Sequence, residues 1–112
     1  MPMMFRFAEQ RRKLLEEEFL RIAGEMRTLG AIRFWAAGDL AADRVGPESD
    51  LDLVVVHETD APFRRRSDFF TSHLRPTVGV RFTVYTPREL EELEETDLFL
   101  RHSLRLSTPV EV

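Results

Sequence analysis

The chain has 112 residues, 43% hydrophobic and 32% charged, with a formal net charge of −4 and no cysteine. That length can bury one core without staples, and the missing cysteine excludes disulfide frameworks and thiolate metal sites. The acidic balance argues against a dedicated nucleic-acid binder, and no apolar run approaches the ~20 residues of a membrane span.

A soluble, cytoplasmic protein without membrane or stable nucleic-acid partners is therefore expected. The segment Met1–Phe7 runs directly into "EQRRKLLEEE" and carries no signal-peptide pattern. No internal repeat, low-complexity segment or linker interrupts the chain, so residues 1–112 are expected to form a single α/β domain.

Leu15, Phe19, Ile22, Met26 and Leu29 recur at alternating steps of four and three, which predicts an amphipathic helix over about 8–29 with Gly30 as its C-terminal stop. "AIRFWAA" (31–37) is aromatic and β-branched and predicts a strand. "LDLVVVH" (51–57) predicts a second, apolar on both sides beyond Asp52 and so covered on both faces. Asp60 is placed to cap a helix over about 61–74, with Phe63, Phe70 and Leu74 inward and Pro76 ending it.

"VGVRFTVY" (78–85) predicts a third strand, with Val78, Val80, Phe82 and Val84 on one face and Gly79, Arg81, Thr83 and Tyr85 on the other. Thr86, Pro87 and Glu89 form a capping-box start for a helix through about Glu95. A further turn or two is expected near 97–103, then a short strand at Leu104–Leu106.

The chemistry concentrates in "GDLAADRVGPESDLDLVVV", Gly38 through Val56. Residues i and i+2 of a strand project to one side, so Asp50 and Asp52 share a face at the strand's mouth. Two such carboxylates repel unless a cation lies between them, and oxygen ligands alone suit Mg²⁺ or Mn²⁺. Mg²⁺ held by one or two carboxylates takes its remaining ligands from phosphates and water, which suggests a platform for a nucleoside triphosphate. Gly38 turns the chain after the first strand and gives phosphates access to main-chain N–H groups, with a short helix over 39–43 beyond it. The candidate set is thus Asp50 and Asp52 for metal and catalysis, with Gly38, Asp39 and Ser49 at the nucleotide.

The stretch resembles the nucleotidyltransferase signature of the DNA polymerase β superfamily in its minimal, antitoxin-type form. Members of that family read Gly-Ser, ten residues, then Asp-x-Asp and an apolar strand; here Gly38-Asp39, Asp50-Leu51-Asp52 and "LVVV" follow the same spacing. "Pro-Glu-Ser-Asp-Leu-Asp-Leu" and the later "VYTPREL" extend the resemblance over about residues 30–105. It implies an α/β fold with a mixed sheet of about four strands, and Mg²⁺-dependent transfer of a nucleoside monophosphate from a triphosphate such as ATP to a protein hydroxyl. Minimal members often pair with a small all-helical HEPN-type partner as its antitoxin.

Three positions depart from the family pattern. Asp39 replaces the signature serine, and Ala42 and Asp43 replace an arginine and a glycine. The third carboxylate falls on Arg81, and Thr83, on the same face of that strand, is not acidic either. Arg81 beside Asp50 and Asp52 is expected to form a salt bridge that puts a guanidinium in the metal's place, with Asp50–Arg81 pairing as the metal-free arrangement. Glu48 or Asp43 is available as a substitute ligand. A non-catalytic module acting on its partner by contact alone is the alternative to the enzyme.

The remaining candidates have ordinary readings. His57, His73 and His102 lack metal-type spacing. Ser49 suits a bond to the local turn backbone. One of Phe34 and Trp35 belongs in the core, and the other is core or a nucleobase platform. Arg64–Arg66 suit a solvated helix face before contact with an acidic or nucleic-acid partner, and Leu98, Phe99 and Leu100 suggest a dimer or partner surface.

Overall fold

Leu15, Ile22 and Met26 of the predicted apolar stripe are fully buried, and the helix that carries most of the stripe, α1, spans Pro2–Glu25. The computed structural model describes residues 2–112, with side chains from Phe5 onward. α1 begins at Pro2 rather than near residue 8. Phe5 and Phe7 are both exposed, so periodicity gives no sign of the early turns, yet no breaker separates them from the amphipathic segment and Pro2 suits a first turn. Past Glu25 the chain continues in turns to Gly30, whose φ of 83° closes the segment; the Ala31 N–H donates to the Met26 carbonyl over 3.1 Å.

A four-stranded mixed sheet follows, in the order β3-β2-β1-β4. β1 (Ala31–Ala37) pairs antiparallel with β2 (Leu51–His57), and β2 pairs parallel with β3 (Val80–Tyr85). β4 (Val110–Glu111) lies antiparallel to β1 at the far edge. Alternate residues sort to the two faces. Phe34, Leu53, Val55, Phe82 and Val84 pack with α1 and with Phe70 and Leu74 of α3 (Arg66–Leu74). Trp35, Val54, Val56 and Tyr85 pack with Leu90 of α4 (Pro87–Leu93) and Leu100 of α5 (Leu98–Leu106). β2 is thus covered on both faces, as its unbroken apolar run requires.

The capping box forms as expected: the Glu89 N–H donates to Thr86 Oγ1 (3.2 Å) and the Thr86 N–H to Glu89 Oε1 (2.9 Å). Other boundaries differ from expectation. Asp60 caps nothing; Phe63–Arg65 form a 3₁₀ turn and α3 begins at Arg66 without a side-chain cap. Phe63 is half exposed, edging Tyr85, because the 3₁₀ turn rotates it off the inward face of α3. The expected strand at Leu104–Leu106 is the last turn of α5, whose start is fixed by Asp97 accepting from the Leu100 N–H (3.0 Å). α4 stops at Leu93, two residues short of Glu95. No helix among the described residues is long and apolar enough to cross a membrane.

Candidate functional site

β1 ends at Ala37, which is the antiparallel partner of Asp52 on β2. The next residue, Gly38, opens the short helix α2 (Gly38–Ala41) at φ 61° and lies directly against the Asp52 side chain. A Cβ at position 38 would overlap Asp52 Oδ2, so only glycine lets that carboxylate fold back onto the turn. Gly79, just before β3, plays the matching part for Asp50: a Cβ there would overlap Asp50 Oδ1. The Gly79 carbonyl also accepts the Leu51 N–H over 2.8 Å, which pins the strand mouth between the two aspartates.

Parallel register places Arg81 of β3 beside Asp52. The contact is bidentate: Arg81 Nε donates to Oδ1 over 2.6 Å and Nη2 to Oδ2 over 3.1 Å. Both Asp52 oxygens are therefore engaged by one planar fork. The bond to Asp52, reinforced by its charge and more weakly by those of Asp50 and Asp39, holds the Arg81 guanidinium above its ordinary pKa.

The expected Asp50–Arg81 pairing does not form. Asp50 instead faces Arg11 of α1, with Arg11 Nη2 at 3.6 Å from Asp50 Oδ1, while Arg11 Nε donates to the Ser49 carbonyl over 2.7 Å. Ser49 Oγ donates to Asp39 Oδ2 (2.7 Å) and accepts the Gly46 N–H (2.8 Å), closing the loop between α2 and β2 on itself. Asp39 and Ser49 thus bond to each other across the signature loop.

Asp50 and Asp52 were the expected metal ligands, and as arranged this donor set does not fit a divalent cation. Both oxygens of Asp52 are taken by Arg81. Asp43 is ion-paired to Arg12 on α1, and Glu48 lines an open depression beside the loop. No group of three or more His, Cys, Asp or Glu side chains among the described residues could hold a metal ion.

That depression, about 700 Å³, is lined by Asp39, Arg44, Gly46, Pro47, Glu48 and Ser49. Two carboxylates against one guanidinium make it a poor receptor for a triphosphate without a cation to screen them. A smaller hollow of about 160 Å³ lies between α2 and α5, reached by Arg44, Phe99 and His102.

The other expected candidates lie elsewhere. Phe34 and Trp35 are both buried, one on each face, so neither is a nucleobase platform. His57 donates to the Gly30 carbonyl over 3.2 Å and stacks on Phe69, at the opposite end of β2 from Asp50. His73 donates to the Phe69 carbonyl over 2.7 Å. Leu98 and Phe99 are exposed, but Leu100 is fully buried and leaves the expected contact surface. Sequence reasoning missed Arg11 and Gly79; Arg11 carries no local signal, whereas Gly79 follows from asking which residue neighbours the strand mouth across the sheet.

Chemically, this cluster sets Asp39, Asp50 and Asp52 against Arg11 and Arg81, three carboxylates against two guanidinium groups, which leaves one negative charge in excess. It fixes the strand mouth, the α2 loop and the middle of α1 together, and presents to solvent the outer edge of Arg81 and the half-exposed Asp50 carboxylate. The chain matches no family model, no curated protein and no solved structure in comparison.

Proposed function

We propose that this domain is a minimal nucleotidyltransferase-type protein of the DNA polymerase β superfamily whose nucleotide–metal site is closed by an internal ion pair. In this reading it acts by contact on a small helical partner of HEPN type, in the manner of an antitoxin. The observation that carries the reading is the bidentate Arg81–Asp52 contact, which sets a fixed cation where the resemblance implies a metal. The mixed four-stranded sheet, with Gly38 and the two aspartates meeting at one end of β2, supports the fold half of it.

One observation favours the enzymatic reading, transfer of a nucleoside monophosphate from Mg²⁺·ATP to a protein hydroxyl. Asp50 is half exposed and its one cationic neighbour within 4.0 Å among the described residues stands at 3.6 Å, so that carboxylate remains open to a cation.

Calorimetric titration of the full chain with Mg²⁺·ATP and Mg²⁺·CTP separates the two, with the double variant Asp50→Asn/Asp52→Asn as control. The contact reading expects no saturable heat from the wild type, and equal capture of a co-expressed helical partner by wild type and double variant. Saturable nucleotide binding that the double variant abolishes would overturn it in favour of group transfer.

A further inference from the structure

The helical layer on one face of the sheet is divided by charge. Glu91 through Asp97 hold five carboxylates and no cation, whereas Leu98 through Leu106, the residues of α5, hold Arg101, His102 and Arg105 and no carboxylate. Glu91 and Glu95 follow the buried Leu90 of α4 by one and five residues, and Arg101 and Arg105 follow the buried Leu100 of α5 by the same steps. At about 100° per residue those steps carry each pair off the buried side of its helix, and all four residues are exposed.

None of the four has an opposite charge within 4.0 Å among the described residues, while the nearby Arg88 is held by Glu92 at 3.2 Å. Arg101 and Arg105 repel each other one turn apart, and no ion pair within the chain relieves them. Between the two halves stands Leu98, 78% exposed, the most exposed large apolar side chain among the described residues. It lies about 160° around α5 from Leu100, on the outward side that it shares with the two arginines.

We infer that this surface is the contact of a two-fold homodimer, in which Leu98 meets Leu98 of the second copy and the carboxylates before it meet the arginines after it. The division of charge identifies the occupant. A two-fold axis at Leu98 turns one half of the surface onto the other, so a patch that is acidic before the axis and basic after it complements itself, with both contacts made at once. The halves lie toward different ends of the sheet: α4 sits beside Val56 near the end of β2, and α5 lies against α2 at the strand mouth. A purely acidic or purely basic partner would match one half and be repelled by the other. With one exposed leucine per copy at its centre the contact is small and rests mainly on charge, so the association is weak and screened by salt. It uses no residue of the Asp52–Arg81 cluster, and its test is independent of the proposed function.

The test is sedimentation velocity of the full chain over a concentration series at low ionic strength and again in about 0.5 M salt, with circular dichroism to confirm folding. The wild type is expected to dimerise as concentration rises at low salt and to be monomeric at high salt. Arg101→Glu/Arg105→Glu, acidic on both halves, and Glu91→Lys/Glu95→Lys, basic on both, are each expected to remain monomeric alone. Mixed in equal amounts, the two variants set opposite charges against each other at both contacts, and a one-to-one dimer is expected to return. A wild type that stays monomeric at every concentration overturns the inference, as does a dimer that survives either double variant or a mixture of folded variants that fails to associate.

Discussion

The buried carboxylate of Glu18 accepts the main-chain N–H of Thr77 over 2.6 Å, joining the middle of α1 to the turn that leads into β3. Arg21 holds the same carboxylate from one turn along the helix, with Nε at 2.6 Å and Nη2 at 3.0 Å, and donates also to the Leu74 carbonyl at the end of α3. These bonds, that of Arg21 foremost and opposed by burial, lower the Glu18 pKa from 4.5 to about 2.

The sign of the pH dependence follows. The folded state favours charged Glu18, so its contribution is complete above the ordinary carboxylate pKa near 4.5 and is lost as pH falls toward 2. A shift of that size corresponds to about 3 kcal/mol. Urea denaturation at neutral pH and near pH 3 is expected to show wild-type stability falling, with Glu18→Gln less stable at neutral pH and less sensitive to acid.

Arg81→Asp is expected to convert the closed cluster into a cation site. It removes the guanidinium from Asp52 and sets a third carboxylate at the position in register with it on β3. Mn²⁺ titration followed by electron paramagnetic resonance is expected to show saturable binding by this variant and none by the wild type. Arg81→Ala, which removes a largely exposed guanidinium from the mostly buried Asp52 carboxylate, is expected to cost about 1 kcal/mol or more in denaturant unfolding.

Gly38→Ala tests the other side of Asp52. The substitution puts a side chain at φ 61° and drives its Cβ into the Asp52 carboxylate. A loss of about 2 kcal/mol or more is expected in thermal or denaturant unfolding. Gly24→Ala, where an added Cβ meets nothing, is expected to be neutral or to stabilise by about 1 kcal/mol, which makes it the matched control.

Arg66 carries a third internal ion pair, of a different kind. Its buried guanidinium donates to the Ala61 and Val84 carbonyls and to Glu89, whose pKa it holds below the ordinary range. Arg66→Ala strips three acceptors at once and is expected to cost about 3 kcal/mol, read from the denaturation midpoint. Arg66→Lys is expected to recover only part of that, because an ammonium cannot span the same fork of acceptors.

What sequence reasoning captured and missed divides by the range of the interaction. The Thr86–Glu89 capping box and the Gly30 stop depend on neighbours a few residues away and were visible. The two-sided burial of β2 was visible too, because an unbroken run from Leu53 to Val56 admits little else. The family pattern placed Arg81 at the aspartate pair, but which aspartate it meets depends on parallel register, and register put it beside Asp52. Arg11 reaches the site only because Leu15, one turn further along α1, docks on the sheet; nothing near Arg11 in sequence marks that. The helix at Leu98–Leu106 was misread as partly strand because Leu104–Leu106 alternates over only three residues, while Asp97, the cap that decides the matter, was not weighed.

Trp35 is the chain's one tryptophan, and it is fully buried with its indole N–H donating to Ser103 Oγ on α5 over 2.9 Å. Ser103 in turn donates to the Leu100 carbonyl, so the indole senses the seating of that helix directly. The protein thereby carries its own optical gauge: emission stays blue and structured while α5 is seated and shifts red when the helix lifts. Ultraviolet excitation alone then distinguishes a ligand that pries at α5 from one that settles on the distant face of α1, without any label being attached.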